Sequence, residues 1–138
     1  IVVVPVLRAG IGMLDGILGL LPTARVGFVG IYRDEETKLP VTYYHRLPPQ
    51  TKGGLSNVID PKLATGRTTV ATLDLLKASG ATTIIVVCIV TCPEVLKKVR
   101  DAHPDVAVYT AAIDDRLNER KYIVHGLGDA GDRLFGTS

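Results

Sequence analysis

The densest chemistry in this sequence lies in Val58-Ile59-Asp60-Pro61-Lys62-Leu63-Ala64-Thr65-Gly66-Arg67-Thr68-Thr69. An apolar run delivers a carboxylate, and a Thr/Gly turn then opens a segment of helical period. The first turn of a helix carries backbone N–H groups without intrahelical partners at the positive end of its dipole, so a turn of this kind binds phosphate. Hydroxyls of Thr65, Thr68 and Thr69 add donors for the same oxygens, and Asp60 can accept hydrogen bonds from sugar hydroxyls. The spacing is not that of a P-loop, because G-x-x-x-x-G-K-[ST] is absent. A structural reading also stands at this point, since threonine caps helices and Asp-Pro is a common turn.

Two other stretches have chemical character. Arg8 follows the apolar run Ile1–Leu7 and precedes Ala9-Gly10. Its planar fork can clamp phosphate oxygens, and the small residues allow close approach of backbone. Near the other end, Gly126, Gly128 and Gly131 crowd around Asp129, a pattern suited to backbone wrapped around a small flat ligand. Cys88 and Cys92 have no second pair to complete a zinc site and read as small residues in or just after a buried strand. His45, His103 and His125 are scattered, and none is cast as a general base.

Positioning these groups requires a sheet. Short apolar runs alternate with segments of helical period, which predicts an α/β fold with a mostly parallel sheet flanked by helices. Strands are expected at Val2–Leu7, Val26–Tyr32, Leu55–Ile59, Thr83–Val90 and Val106–Ile113, with helices at Met13–Leu21, Thr68–Ser79 and Glu94–Ala102. Pro22 and Gly80 supply stops for the first two helices. Residues 33–48 place a polar tip before the β-formers Val41-Thr42-Tyr43-Tyr44 and read as a hairpin standing off the main sheet. Residues 114–138 form a glycine-bearing tail of little periodicity.

The 138 residues suit one domain, and at 46% hydrophobic they can bury a core without disulfide staples. A net charge of only +2 with no basic block argues against a nucleic-acid surface. The apolar runs are too short to span a bilayer, so no membrane partner and a cytoplasmic location are expected. The chain opens directly on an apolar strand with neither Met nor a polar lead-in, which suggests a natural N-terminal segment ahead of it.

Residues 58–69 resemble the phosphoribosyl diphosphate motif of type I phosphoribosyltransferases. The Asp-Pro form with Leu-Ala-Thr-Gly is similar to the uracil phosphoribosyltransferase family in particular. Val4-Pro5-Val6-Leu7-Arg8-Ala9-Gly10-Ile11-Gly12-Met13 resembles that family's diphosphate loop. The stretch from Tyr122 to Thr137 resembles its C-terminal uracil-binding segment, and the resemblance runs over all 138 residues.

The resemblance implies a type I phosphoribosyltransferase fold with a protruding β-hairpin lid at 33–48 and a base-binding segment at 114–138. It implies the conversion of uracil and phosphoribosyl diphosphate to UMP and diphosphate, with Arg8, Asp60 and Asp129 as the catalytic set. Phosphoribosyl diphosphate would be bound by Arg8, Arg33, Asp60, Pro61, Lys62, Leu63, Ala64, Thr65, Gly66, Arg67, Thr68 and Asp129. Uracil would be read by the backbone of Ile123, Gly128 and Ala130, with Asp129 near the ribose and diphosphate. Mg²⁺ is implied as a cofactor held mainly by substrate oxygens, with no side chain assigned to the metal. A homodimer or homotetramer is implied, and GTP activates some relatives.

Arg67 and Lys62 stand where the family usually has Gly and an apolar residue, and Lys121 replaces a usual Gly. Arg67 therefore either strains the loop or adds a phosphate contact. These departures admit a second reading, a catalytically weakened nucleotide-binding homologue with a regulatory or assembly role. An RNA-binding regulator on the same fold would need a basic face or an aromatic platform, and the sequence offers neither.

Overall fold

The computed structural model describes residues 1–137. In chain order the elements are β1 (Val2–Leu7), α1 (Ile11–Leu20), β2 (Arg25–Val26), β3 (Phe28–Arg33), β4 (Pro40–Arg46), a short 3-10 turn (Pro49–Thr51), β5 (Leu55–Ile59), α2 (Arg67–Ala78), β6 (Thr83–Thr91), α3 (Pro93–Ala102), β7 (Ala107–Ile113) and α4 (Ala130–Phe135). The sheet runs β4-β3-β1-β5-β6-β7, with β2 also on β1. Among the strand pairings of the described residues, only β3–β4 is antiparallel.

The expected strand 26–32 is divided at Gly27. Its first part pairs with the start of β1 (Val2↔Arg25) and its second with the end (Leu7↔Gly30). The hairpin is the sheet's own edge at its base and leaves the sheet only at its tip. Pairing of β3 with β1 ends at Gly30, a bulge follows between Gly30 and Ile31, and the outer half pairs with β4 alone. A bulge at that place bends the ribbon and increases its twist.

The core follows from pattern. Val2, Val3 and Val4 of β1 and Val58 and Ile59 of β5 are fully buried, as central strands covered on both faces should be. Helix α2 buries Thr69, Thr72, Leu73 and Leu76, spaced as one face of a helix, and α3 buries Val95 and Val99. Fully buried Leu73 and Leu76 each contribute about 1.5–3 kcal/mol of hydrophobic stabilisation. Cys88 and Cys92 are buried and free, as their apolar setting predicts. Ser56 and Asn57 are buried too, and Ser56 Oγ and Asn57 Oδ1 have no hydrogen-bond partner among the described residues.

The chain leaves β1 toward β3 on one side and returns to β5 on the other. Strand order therefore reverses between β1 and β5. In open α/β sheets the crevice beyond the carboxyl ends of such a pair is where ligands bind.

Candidate functional site

A cavity of about 420 Å³ opens at that place. The end of β1 contributes Arg8, the end of β5 contributes Asp60, and the following loop contributes Lys62, Leu63, Ala64, Thr65 and Gly66. The first turn of α2 adds Thr68 and Thr69, β3 adds Arg33, and the tail adds Asp129. The structure thus brings together most of the residues proposed for phosphoribosyl diphosphate. Gly131 of the glycine-bearing tail borders the same space, as do Ile31 and Tyr32, which carried no signal in the sequence. None of the three histidines borders it.

Local backbone explains the phosphate-loop geometry. Gly66 has φ +74°, a left-handed conformation that costs an L side chain about 1–2 kcal/mol, and it is the N-cap of α2. Gly66 at the N-cap has no side chain to cap α2, and the Arg67 N–H meets the Thr65 hydroxyl only at 3.4 Å, which leaves the first turn available to a ligand. Arg67 is the first residue of the helix, one position earlier than expected, and its φ is not positive. The strain considered for Arg67 is absent. Positive φ falls instead on Lys121 (65°) and His125 (65°) in the tail and on Lys38 (58°) at the hairpin tip. Arg67 Nη1 donates to the carbonyl of Lys38 at 2.8 Å, tying the tip to α2.

The glycine after Arg8 has a different reason from the one expected. A Cβ on Gly10 would lie 2.6 Å from the Ile59 carbonyl oxygen and from the Val6 nitrogen. The close approach is between the chain's own strands. Arg8 itself is engaged by α4: Nη2 lies 2.9 Å from Asp132 Oδ1, and Nη1 donates to Thr137 Oγ1 at 3.0 Å. Hydrogen bonds from Thr137 and from Arg8 hold the Asp132 carboxyl below its ordinary pKa. The guanidinium has further N–H groups beyond these two.

Helix α4 was not legible in the sequence, and it assigns Asp129 a structural task. Asp129 Oδ1 accepts from the Asp132 N–H at 2.8 Å as its N-cap. Ahead of it, the tail forms a small antiparallel turn in which Leu117 bridges Ile123.

Charge in the cavity is uneven. Burial pushes the Asp60 carboxyl up to about 7, although the Lys62 backbone N–H bonds it at 3.3 Å and the Lys62 ammonium pulls the other way. Burial also lowers the Lys62 ammonium, against the attraction of Asp129 and Asp60. Lys62 Nζ donates to the Gly128 carbonyl and lies 5.0 Å from the centre of the Tyr122 ring, so it bridges the phosphate loop and the tail.

The remaining candidates lie elsewhere. Pro61 and Ala130 border a separate, mostly apolar cavity of about 210 Å³. Ile123 is buried, and its carbonyl accepts the Gly126 N–H at 2.9 Å. Gly128 is reached through Lys62 rather than directly from the cavity.

Known proteins share this architecture. A purine phosphoribosyltransferase from Pyrococcus horikoshii superposes with a TM-score of 0.63 at 17% identity, covering 86% of this chain and 80% of that one. The likeness gives the fold: that of the phosphoribosyltransferases. The AQ2163 protein from Aquifex aeolicus superposes with a TM-score of 0.94 at 42% identity, covering 99% of this chain and 65% of that one. A family model described as uracil phosphoribosyltransferase matches residues 1–137. The uracil phosphoribosyltransferase of Streptococcus mutans is 58% identical over 135 residues, 98% of this chain and 65% of that protein. That of Lactiplantibacillus plantarum is 56% identical over 137 residues, 99% of this chain and 66% of that protein. The chain belongs to the uracil phosphoribosyltransferase family, and it spans somewhat less than two-thirds of the length of these relatives.

Proposed function

We propose that the protein transfers a phosphoribosyl group from phosphoribosyl diphosphate to uracil, giving UMP and diphosphate, in the cavity beyond β1 and β5. The observation that carries this reading is the convergence of Arg8, Asp60, the uncapped start of α2 and Asp129 on one cavity, within a chain matched over residues 1–137 by the family. In the proposed reaction the bond from C1′ of the ribose to the diphosphate oxygen breaks, and a bond from C1′ to N1 of uracil forms. The electron pair of the broken bond leaves with diphosphate, and the N1 proton is released.

Each residue then has a task. First-turn N–H groups of α2, with the Thr65 and Thr68 hydroxyls, hold the 5′-phosphate. Asp60 accepts from the ribose hydroxyls. Arg8 and Arg33 neutralise the leaving diphosphate, and the hairpin carrying Arg33 excludes water as it closes. The Gly128 and Ala130 backbone, next to Asp129, reads the base. The Gly128 carbonyl already accepts from Lys62 and keeps one lone pair for the base. Positioning and electrostatics carry the rate, which fits a site without histidine.

The donor set fits Mg²⁺. Among the described residues no three His, Cys, Asp or Glu side chains cluster to form a cage. Asp60 and Asp129 give the cavity the one or two carboxylates that a hydrated Mg²⁺ uses beside substrate oxygens. An ion held there by Asp60 and Asp129 would supply positive charge to the departing diphosphate. No helix among the described residues is long and apolar enough to cross a membrane. A cytoplasmic enzyme acting as a homodimer or homotetramer accords with the reading, and GTP is a candidate activator.

The test is product formation by the full chain with Mg²⁺ and phosphoribosyl diphosphate, offering uracil, cytosine, orotate or hypoxanthine. UMP from uracil alone is expected. Nucleotide from another base with none from uracil would replace this reading.

A further inference from the structure

Beside the main cavity, behind the phosphate loop, lies a second cavity of about 140 Å³. Four cationic side chains border it: Arg33 from the hairpin, Arg67 from the start of α2, Lys98 from α3 and Lys121 from the tail. Among the described residues Glu94 is the single carboxylate on its wall. None of the four cations has a carboxylate within ion-pair distance among the described residues. Two are held in place by carbonyls, Arg67 Nη1 by Lys38 at 2.8 Å and Lys98 Nζ by Thr65 at 2.8 Å. These bonds orient the heads without neutralising them. Lys121 is held at the rim by backbone with φ 65°.

Four like charges around one small space repel one another, and a single carboxylate leaves a net excess of positive charge. A bound oxyanion reverses that repulsion and accepts from several donors at once. We propose that this cavity is a second anion site, sized for one phosphate group and separate from the site that receives the 5′-phosphate. Its ligand class is inorganic phosphate or the terminal phosphate of a small metabolite. An anion there contacts the hairpin, the phosphate loop, α3 and the tail together. Because Arg33 and Thr65 border both cavities, occupancy of one bears on the other. The inference needs only the geometry of these groups and stands apart from the transferase reading.

The experiment is calorimetric titration of inorganic phosphate into the full chain at low ionic strength, with no nucleotide substrate present. Wild type, Glu94→Gln and a Lys98→Gln/Lys121→Gln double variant are compared. At least two binding events are expected in wild type, one of them at the cavity bordered by Lys98 and Lys121. The double variant should weaken that one about tenfold or more and spare the rest, while Glu94→Gln tightens the same event about threefold. Raising the salt from about 0.05 to about 0.3 M should weaken that event as screening grows. If the double variant does not fold, Lys121→Gln alone at its exposed position serves, with a proportionally smaller loss expected. A single event in wild type, or isotherms that the substitutions leave unchanged, would overturn the proposal.

Discussion

Asp60 titrates far from its ordinary range because of where it sits at the end of β5. Its carboxyl has an unfolded value near 3.8 and is pushed up to about 7 in the fold by burial. The folded chain therefore binds more protons than the unfolded chain between those values. Its contribution to stability should be greatest below pH 4, fall as pH rises toward 7, and level off above, with a total loss of up to about 4 kcal/mol from this group. Asp60→Asn should remove that slope, which denaturant unfolding at pH 4.5 and 8 measures; an unchanged slope would place the titration elsewhere. In the proposed reaction the ionised form is the better acceptor, so ribose binding should strengthen through pH 7. At Lys121 the issue is backbone, because φ 65° suits glycine better than lysine. Lys121→Gly should raise stability by about 0.5–1 kcal/mol, visible as a higher thermal midpoint. A lowered midpoint would show that the lysine side chain stabilises the tail more than its backbone strains it.

Strands and long helices were legible because their apolar residues recur at the period of the element. β5 has the expected bounds, and α2 and α3 begin one residue early. Helix α4 was invisible: six residues containing Gly131 show no period, and its cap, Asp129, was read only as a ligand contact. Ser56 and Asn57 put polar side chains into a buried strand. The structure leaves Ser56 Oγ without a partner, so Ser56→Ala should stabilise β5 by about 1 kcal/mol. Chemical unfolding checks this, and a loss of stability would mean that the hydroxyl is bonded after all. The hairpin was read as a separate arm, yet its base is sheet. Only the pairing beyond the bulge at Gly30 and Ile31 frees the tip, where Arg67 holds it to α2.

For the chain as a whole, the motifs at Arg8, Asp60–Thr69 and Tyr122–Thr137 lie far apart in sequence, and their order gave no distances. The sheet supplies them: reversal between β1 and β5 puts two strand ends side by side, and the tail folds back over both. The Lys62 bridge to Gly128 spans 66 positions, and no local spacing predicts a contact of that range. The grouping of Arg33, Arg67, Lys98 and Lys121 was hidden for the same reason.

The central claim is that this one cavity transfers the phosphoribosyl group and that the Asp129 charge is part of it. The direct measurement is the initial rate of Mg²⁺-dependent UMP formation by the full chain and by its Asp129→Asn variant. Asparagine also caps helices, so the substitution removes charge while keeping the cap of α4. UMP formation by the wild type, a loss of about a hundredfold in kcat for the variant and an unchanged thermal midpoint are predicted. A wild type that makes no UMP, or a variant with a near-normal rate, would contradict the account.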